Sequence, residues 1–238
     1  EGSQDHDLAL RLSEKTKPIH VNDIAYLWRR GDASLSVTDG RIQDFSIEAS
    51  QRALEEHFAR LGRVANITPY YLRPRPESPP QPTGTFISRI QPQSVPKVSV
   101  IIPCKLGTTL RVDKFEITVL PHCLQSIRRT LPESFEPTME SPEVEIILVL
   151  NHDDDTQYAN DLLSKYKLQG HSVCDSTGFN FARKCNLGVD HASGHILVFL
   201  NDDIDLQTVG WTSHVISLLQ EENVACVGGM LLNIDRTV

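Results

Sequence analysis

A chain of 238 residues, 39% hydrophobic and 23% charged, has the makeup of a folded protein rather than a disordered one. Its net charge of −8 removes a nucleic-acid backbone from the partners, because no basic excess exists to release counterions. No apolar run approaches the roughly 20 residues that span a bilayer, and the length suits one large domain or parts of two.

The chain opens on Glu1 and reads as a piece of something longer. Residues 1–62 are expected to be largely helical. In "SIEASQRALEEHFARLG" (46–62), Ala49, Ala53, Leu54, Phe58 and Leu61 recur at helical spacing, and Gly62 supplies the stop. Residues 63–96 differ in character: prolines 69, 74, 76, 79, 80, 82, 92 and 96 fall here, which predicts an extended linker without regular sheet or helix.

From Lys97 onward, "KVSVIIP" (97–103), "VEIILVL" (144–150), "HILVFLN" (195–201) and "VACVGGMLL" (224–232) are short, nearly continuous apolar runs rich in β-branched residues. Such runs predict parallel strands covered on both faces. Between them, helices are expected at 119–131, 154–167, 180–192 and 208–221. Strand–helix alternation means a doubly wound α/β sheet, whose ligand crevice lies at the carboxyl ends of the strands. Three of these strands end in polar or special residues: Pro103-Cys104-Lys105, Asn151 to Asp155, and Asn201-Asp202-Asp203. They should cluster on one edge. The loop 104–119 has no evident place in this scheme.

The third strand raises a physical question. "HILVFLNDDIDL" (195–206) runs from core residues straight into Asp202, Asp203 and Asp205. Two carboxylates about 4 Å apart repel by roughly 4 kcal/mol at an intermediate dielectric. Water, a basic side chain or a bound cation must offset them. Neither G-x-G-x-x-G nor G-x-x-x-x-G-K-[ST] occurs, so a dinucleotide fold or a P-loop is disfavoured. A nucleotide diphosphate would then need another counter-charge, and a divalent cation on strand-end carboxylates is the economical one. The five cysteines (104, 123, 174, 185, 226) are scattered, odd in number and free of C-x-x-C, as reduced thiols in a cytoplasmic protein would be.

The succession "VSVIIP", "EIILVLN", "FNFARKCNLGVDHASGHILVFLNDD", "GW" and "VACVGGMLL" resembles family 2 glycosyltransferases of the GT-A type, in particular bacterial, rhamnosyltransferase-like members. The resemblance covers residues 97–238. It implies the Rossmann-like, nucleotide-sugar-binding half of a GT-A domain, with Mg²⁺ or Mn²⁺ bridging the diphosphate. On the family's D-x-D position, Asp203 is implied as metal ligand and Asp202 as facing the ribose or donor sugar. Leu150 stands where members usually carry Asp, which leaves Asn151 for the base. Asn186 matches a position near the nucleotide, and Arg183 and Lys184 are implied as diphosphate contacts. Residues 2–34 resemble the C-terminal part of another such domain, with Asp5 in the place of the general base. The whole then reads as two tandem domains cut at both ends: 1–62 a helical tail, 63–96 a linker, 97–238 a front half without its own base. The implied reaction is inverting transfer from a nucleotide sugar to a glycan or lipid-linked acceptor, with peripheral membrane association left open.

Plainer readings stand beside these. Asp153-Asp154-Asp155 reads first as a helix start, favouring the positive helix end. Asp5 alone reads as part of a helix N-terminus. Trp28 and Trp211 read as packing residues, and the histidines, His152 among them, as structural or surface groups. Arg183 and Lys184 could be the solvated side of a helix. Against the enzyme stands a second class, a non-catalytic nucleotide-sugar-binding or scaffold module, kept open by Leu150.

Overall fold

The computed structural model describes residues 3–24, 26–27, 44–72, 79–91, 95–112, 114–132, 142–178 and 180–233. Two compact units divide the chain, residues 1–91 and 92–238.

In the first unit, α1 (Gln4–Ser13) pairs with α2 (Asp44–Arg60). Glu14 joins them, accepting from Arg60 Nη2 at 2.8 Å and bonding His57 Nδ1 at 2.7 Å. Those bonds, Arg60's first, hold the Glu14 carboxyl at about 2. On the expected apolar face of α2, Ala49 and Ala53 are buried, whereas Leu61 is exposed. Trp28 lies outside the described residues.

The segment expected to be a linker departs from that reading. β1 (Ala65–Leu72) and β2 (Gln81–Ile90) form an antiparallel pair. A two-stranded sheet consists only of edges, so a proline can face its missing N–H away from the partner strand. Pro69 falls where the register shifts, and Gly84 opposite takes a positive φ of 75° in the resulting bulge. Ile67 and Ile90 are buried, and their sequence alternation was masked by the density of prolines.

The second unit is built on a parallel sheet. β3 (Val98–Pro103) is followed by a hairpin of β4 (Thr109–Val112) and β5 (Phe115–Thr118), then α3 (Val119–Thr130). β6 (Val144–Leu150), α4 (Thr156–Lys165), β7 (Gly170–Cys174), α5 (Phe181–Asp190), β8 (Ile196–Phe199) and α6 (Trp211–Leu219) follow. The strand order is β7-β6-β3-β8, with every neighbouring pair parallel.

Both faces of the central strands are covered, as expected. Val98, Val100 and Ile102 face α3, α4 and Ile216 of α6, while Ile101, Ile147 and Val149 face Leu187 on α5. Burying each such side chain is worth about 1.5–3 kcal/mol, and this repeated term holds the sheet together. Gly188 lets α5 lie close, since a Cβ there would come 2.4 Å from Ile101 Cγ2. Trp211 packs against the larger cluster, as its packing reading anticipated.

Two expectations fail at the far edge. β8 is covered on one face only: Ile196 and Val198 meet the core, but Leu197 and Phe199 are 38% and 53% exposed. The run 224–232 is not a strand, and Met230 and Leu231 are exposed. An apolar run becomes a strand only when a neighbour takes its backbone hydrogen bonds. Among the described residues, β8 pairs with β3 alone.

Opposite the carboxyl ends of the strands, Glu145 ties the sheet together. It accepts from Ser99 Oγ at 2.5 Å, Ser193 N at 2.7 Å and Lys97 Nζ at 3.1 Å. Ser99 Oγ in turn accepts from Gly194 N at 2.8 Å, where any Cβ would collide with the Ser99 backbone.

Candidate functional site

From β3 the chain winds outward through β6 to β7, then returns to the other side of β3 as β8. That reversal opens a crevice at the carboxyl ends of the strands. A cavity of about 630 Å³ lies there. Pro103, Cys104 and Lys105 line it from β3, Asn151 and His152 from β6, and Asn201, Asp202 and Asp203 from β8. The three polar strand ends expected to meet do meet. β7 adds a fourth through Asp175, Ser176 and Gly178, and α5 contributes Phe181 and Lys184.

The acidic end of β8 is sorted by its partners. Asp205 has a cation, with Arg129 Nη2 2.7 Å from Oδ1. Among the described residues Asp202 has none within ion-pair reach; its Oδ2 accepts from the Lys105 amide at 3.2 Å. Burial pushes the Asp202 carboxyl up, the Lys105 amide opposes this, and the charge on Asp203 adds to the rise. Asp203 is exposed at the rim. Among the described residues no three metal-ligating side chains converge. A Mg²⁺-type site does not require that, since this ion usually takes one or two carboxylates and completes its shell with water and substrate phosphates. Two adjacent hard oxygen donors with unmet charge suit Mg²⁺ or Mn²⁺.

The opposite wall is held by Arg183. Its Nε donates to Asp175 Oδ2 at 2.8 Å and its Nη2 to the Gly178 carbonyl at 2.5 Å. Asp175, 8% exposed, also accepts from Thr177 N at 3.2 Å. Arg183 first and Thr177 second hold the Asp175 carboxyl at about 2. Asn180 caps α5, its side chain accepting from Arg183 N at 3.0 Å. Beneath this wall Lys184 is 1% exposed, its Nζ donating to the Val149 carbonyl at 3.0 Å.

Of the residues singled out from sequence, Asn151, Lys184, Asp202 and Asp203 line the cavity, and Arg183 and Asn186 stand outside its lining. Lys184 is not on a solvated helix side. Asp5 is exposed in the first turn of α1, in the other unit. Asp153 to Asp155 form a single 3-10 turn leading into α4 and also stand outside the lining. Leu150 is fully buried in the core.

The sequence reading missed Asp175, Ser176, Phe181 and Thr108, and it placed His152 at the surface when it also lines the cavity. β7 escaped because "GHSVC" has no apolar run, although two consecutive helices on opposite faces required a strand between them. The 104–119 loop, unplaced from sequence, is the β4–β5 hairpin, and Thr108 at its base reaches the cavity.

Comparisons with known proteins agree with this geometry. The family described as Glycosyl transferase family 2 matches residues 99–237. The chain is 31% identical over 239 residues to "O-antigen biosynthesis protein RfbC" of Myxococcus xanthus, covering all of this chain and 16% of that protein. It is 29% identical over 240 residues to "Uncharacterized protein y4gI" of Sinorhizobium fredii (strain NBRC 101917 / NGR234), covering 97% of this chain and 23% of that protein. The chain thus spans less than a quarter of either relative. Its parallel sheet with helices on both faces is the GT-A arrangement, and a match over more than half of its length leads to one conclusion: the chain belongs to glycosyl transferase family 2.

Proposed function

We propose that the second unit binds a nucleotide-sugar donor and that the intact protein transfers the sugar to an acceptor hydroxyl during glycan synthesis. The observation that carries this reading is the meeting of four strand ends around the unneutralised pair Asp202 and Asp203. The family match and the O-antigen relative support it.

Asp203, with Asp202 beside it, would hold Mg²⁺ or Mn²⁺; when bound, the ion supplies charge neutralisation to the leaving diphosphate. Asn151, at the end of β6, offers an amide to the nucleoside. Arg183 acts on the donor through the 175–178 wall. The acceptor oxygen bonds to the anomeric carbon with inversion as the bond to the diphosphate breaks and its electron pair leaves with the diphosphate. A carboxylate takes the acceptor's proton, worth roughly 10²–10⁴-fold in rate. Asp5, in the first unit, is our candidate for the corresponding carboxylate of a separate, upstream transferase domain.

Calorimetric titration of UDP, dTDP and GDP with Mn²⁺ tests the reading. At least one should bind, and EDTA should weaken it at least tenfold. The burial of Leu150 favours a second reading, a scaffold that no longer uses donors, because position 150 has no polar side chain to offer a base. Failure of all three nucleotides to bind would select it.

A further inference from the structure

The described structure leaves one charged group in the cavity unexplained by packing. The Lys184 side chain is as buried as the core leucines, yet among the described residues its ammonium makes a single hydrogen bond, to the Val149 carbonyl. An ammonium carries three N–H donors, so two remain for the cavity. Among the described residues, no carboxylate lies within ion-pair distance of it. Asp175 is already paired with Arg183 and bonded by Thr177, and Asp202, oriented by the Lys105 amide, lies at the end of β8. A buried, unpaired charge is unfavourable, and an aliphatic residue would fill this position without that penalty.

The strand order locates what Lys184 meets. Its bonded carbonyl belongs to β6, while the acidic pair ends β8, and both strands flank β3. Two interstrand spacings separate them, about 10 Å. A nucleoside diphosphate whose phosphates lie at Asp203 therefore points its base toward β6 and β7. Pro103, Cys104 and Phe181 line the cavity with apolar surface suited to a flat ring. Lys184 is bonded on the β6 side, about 10 Å from the acidic end of β8, so a donor whose phosphates sit at that rim meets Lys184 with its base. Phosphates belong at the open acidic rim.

Resting on the donor-site reading above, we propose that Lys184 reads the nucleobase, donating to an exocyclic carbonyl and rejecting a base that presents an amino group at that edge. The site then takes uracil, thymine or guanine rather than cytosine or adenine. Discrimination by a buried donor is strong because the wrong edge leaves both groups unsatisfied. Burial lowers the Lys184 pKa, against the pull of the nearby thiols and of Asp175 and Asp202.

The test is calorimetry on the full chain with Mn²⁺, using UDP, dTDP, GDP, CDP and ADP, together with uridine alone by ligand-observed NMR. The best keto-base diphosphate should bind at least tenfold more tightly than its amino counterpart. Lys184→Met should bring the two within about twofold and weaken a nucleoside and its diphosphate by the same factor. Lys184→Gln, which can present either edge of its amide, should also remove the preference, and it serves if the Met variant does not fold. Equal binding of keto and amino bases by the wild type, or an unchanged ratio in the variants, would overturn the assignment. So would a loss confined to the diphosphate, which would make Lys184 a phosphate ligand. Binding of no nucleotide would instead overturn the donor-site reading itself, and this inference with it.

Discussion

The backbone amide of Lys105 donates to Oδ2 of Asp202 at 3.2 Å, joining positions 97 residues apart across the ends of β3 and β8. This bond orients Asp202, while Asp203, the next residue, is exposed at the rim of the cavity. On the proposed donor-site reading, Asp203 is the group whose charge the metal-bound diphosphate would meet. Asp203→Asn is expected to abolish Mn²⁺-dependent nucleotide binding while leaving the melting temperature within a few degrees of wild type. Calorimetry that returned an unchanged affinity would remove Asp203 from the site.

Arg183 and Asp175 form the clamp of the β7 side. Because they act as one unit, Arg183→Ala and Asp175→Asn should each weaken nucleotide binding several-fold, and the double variant should be no worse than the weaker single one. The arginine is nearly half exposed, so the cost to stability should stay within about 1 kcal/mol. A loss of phosphate binding alone, with uridine unaffected, would instead make Arg183 a direct diphosphate contact.

Glu145 should set the acid limit of the second unit. Burial pushes its pKa up, but hydrogen bonds from Ser99, Ser193 and Lys97 outweigh this and bring it down to about 2 from 4.5. A depressed folded pKa means the unfolded chain binds the proton first. The stabilisation is whole above about pH 4.5 and is lost as the pH falls toward 2. Glu145→Gln should lower the stability at pH 7 by about 2 kcal/mol and flatten the acid side of the melting-temperature profile. A variant with an unaltered acid limb would assign acid unfolding to other carboxylates.

The thiols should separate by reactivity. Burial, with Asp202 adding its charge, pushes Cys104 and Cys123 up to about 12, and both are enclosed. Cys226 is exposed. A thiol reagent at pH 7.5 should label Cys226 first and leave Cys104 and Cys123 protected until the protein unfolds. Peptide mapping that found Cys104 labelled early would mean that the reagent reaches the end of β3 through the cavity.

Much of the second unit was legible residue by residue. "VSVIIP" and "VEIILVL" could only be buried strands, because their apolar surface has no polar face to give to water. The helices fell within a few residues of their expected limits, and Asp202 and Asp203 announced themselves by following a core strand. The apolar pattern that marks each of these elements lies within its own short stretch of sequence.

What the tertiary structure alone decided is which groups share space. That β8 lies at an edge, that 224–232 finds no strand to pair with, and that prolines 69 and 82 fit an antiparallel pair all depend on distant partners. Lys184 and Arg183 are adjacent in sequence, yet one is buried under β6 and the other braces the β7 wall. Side chains on consecutive helical positions point about 100° apart, and only the packing of α5 against the sheet determines which of them turns inward.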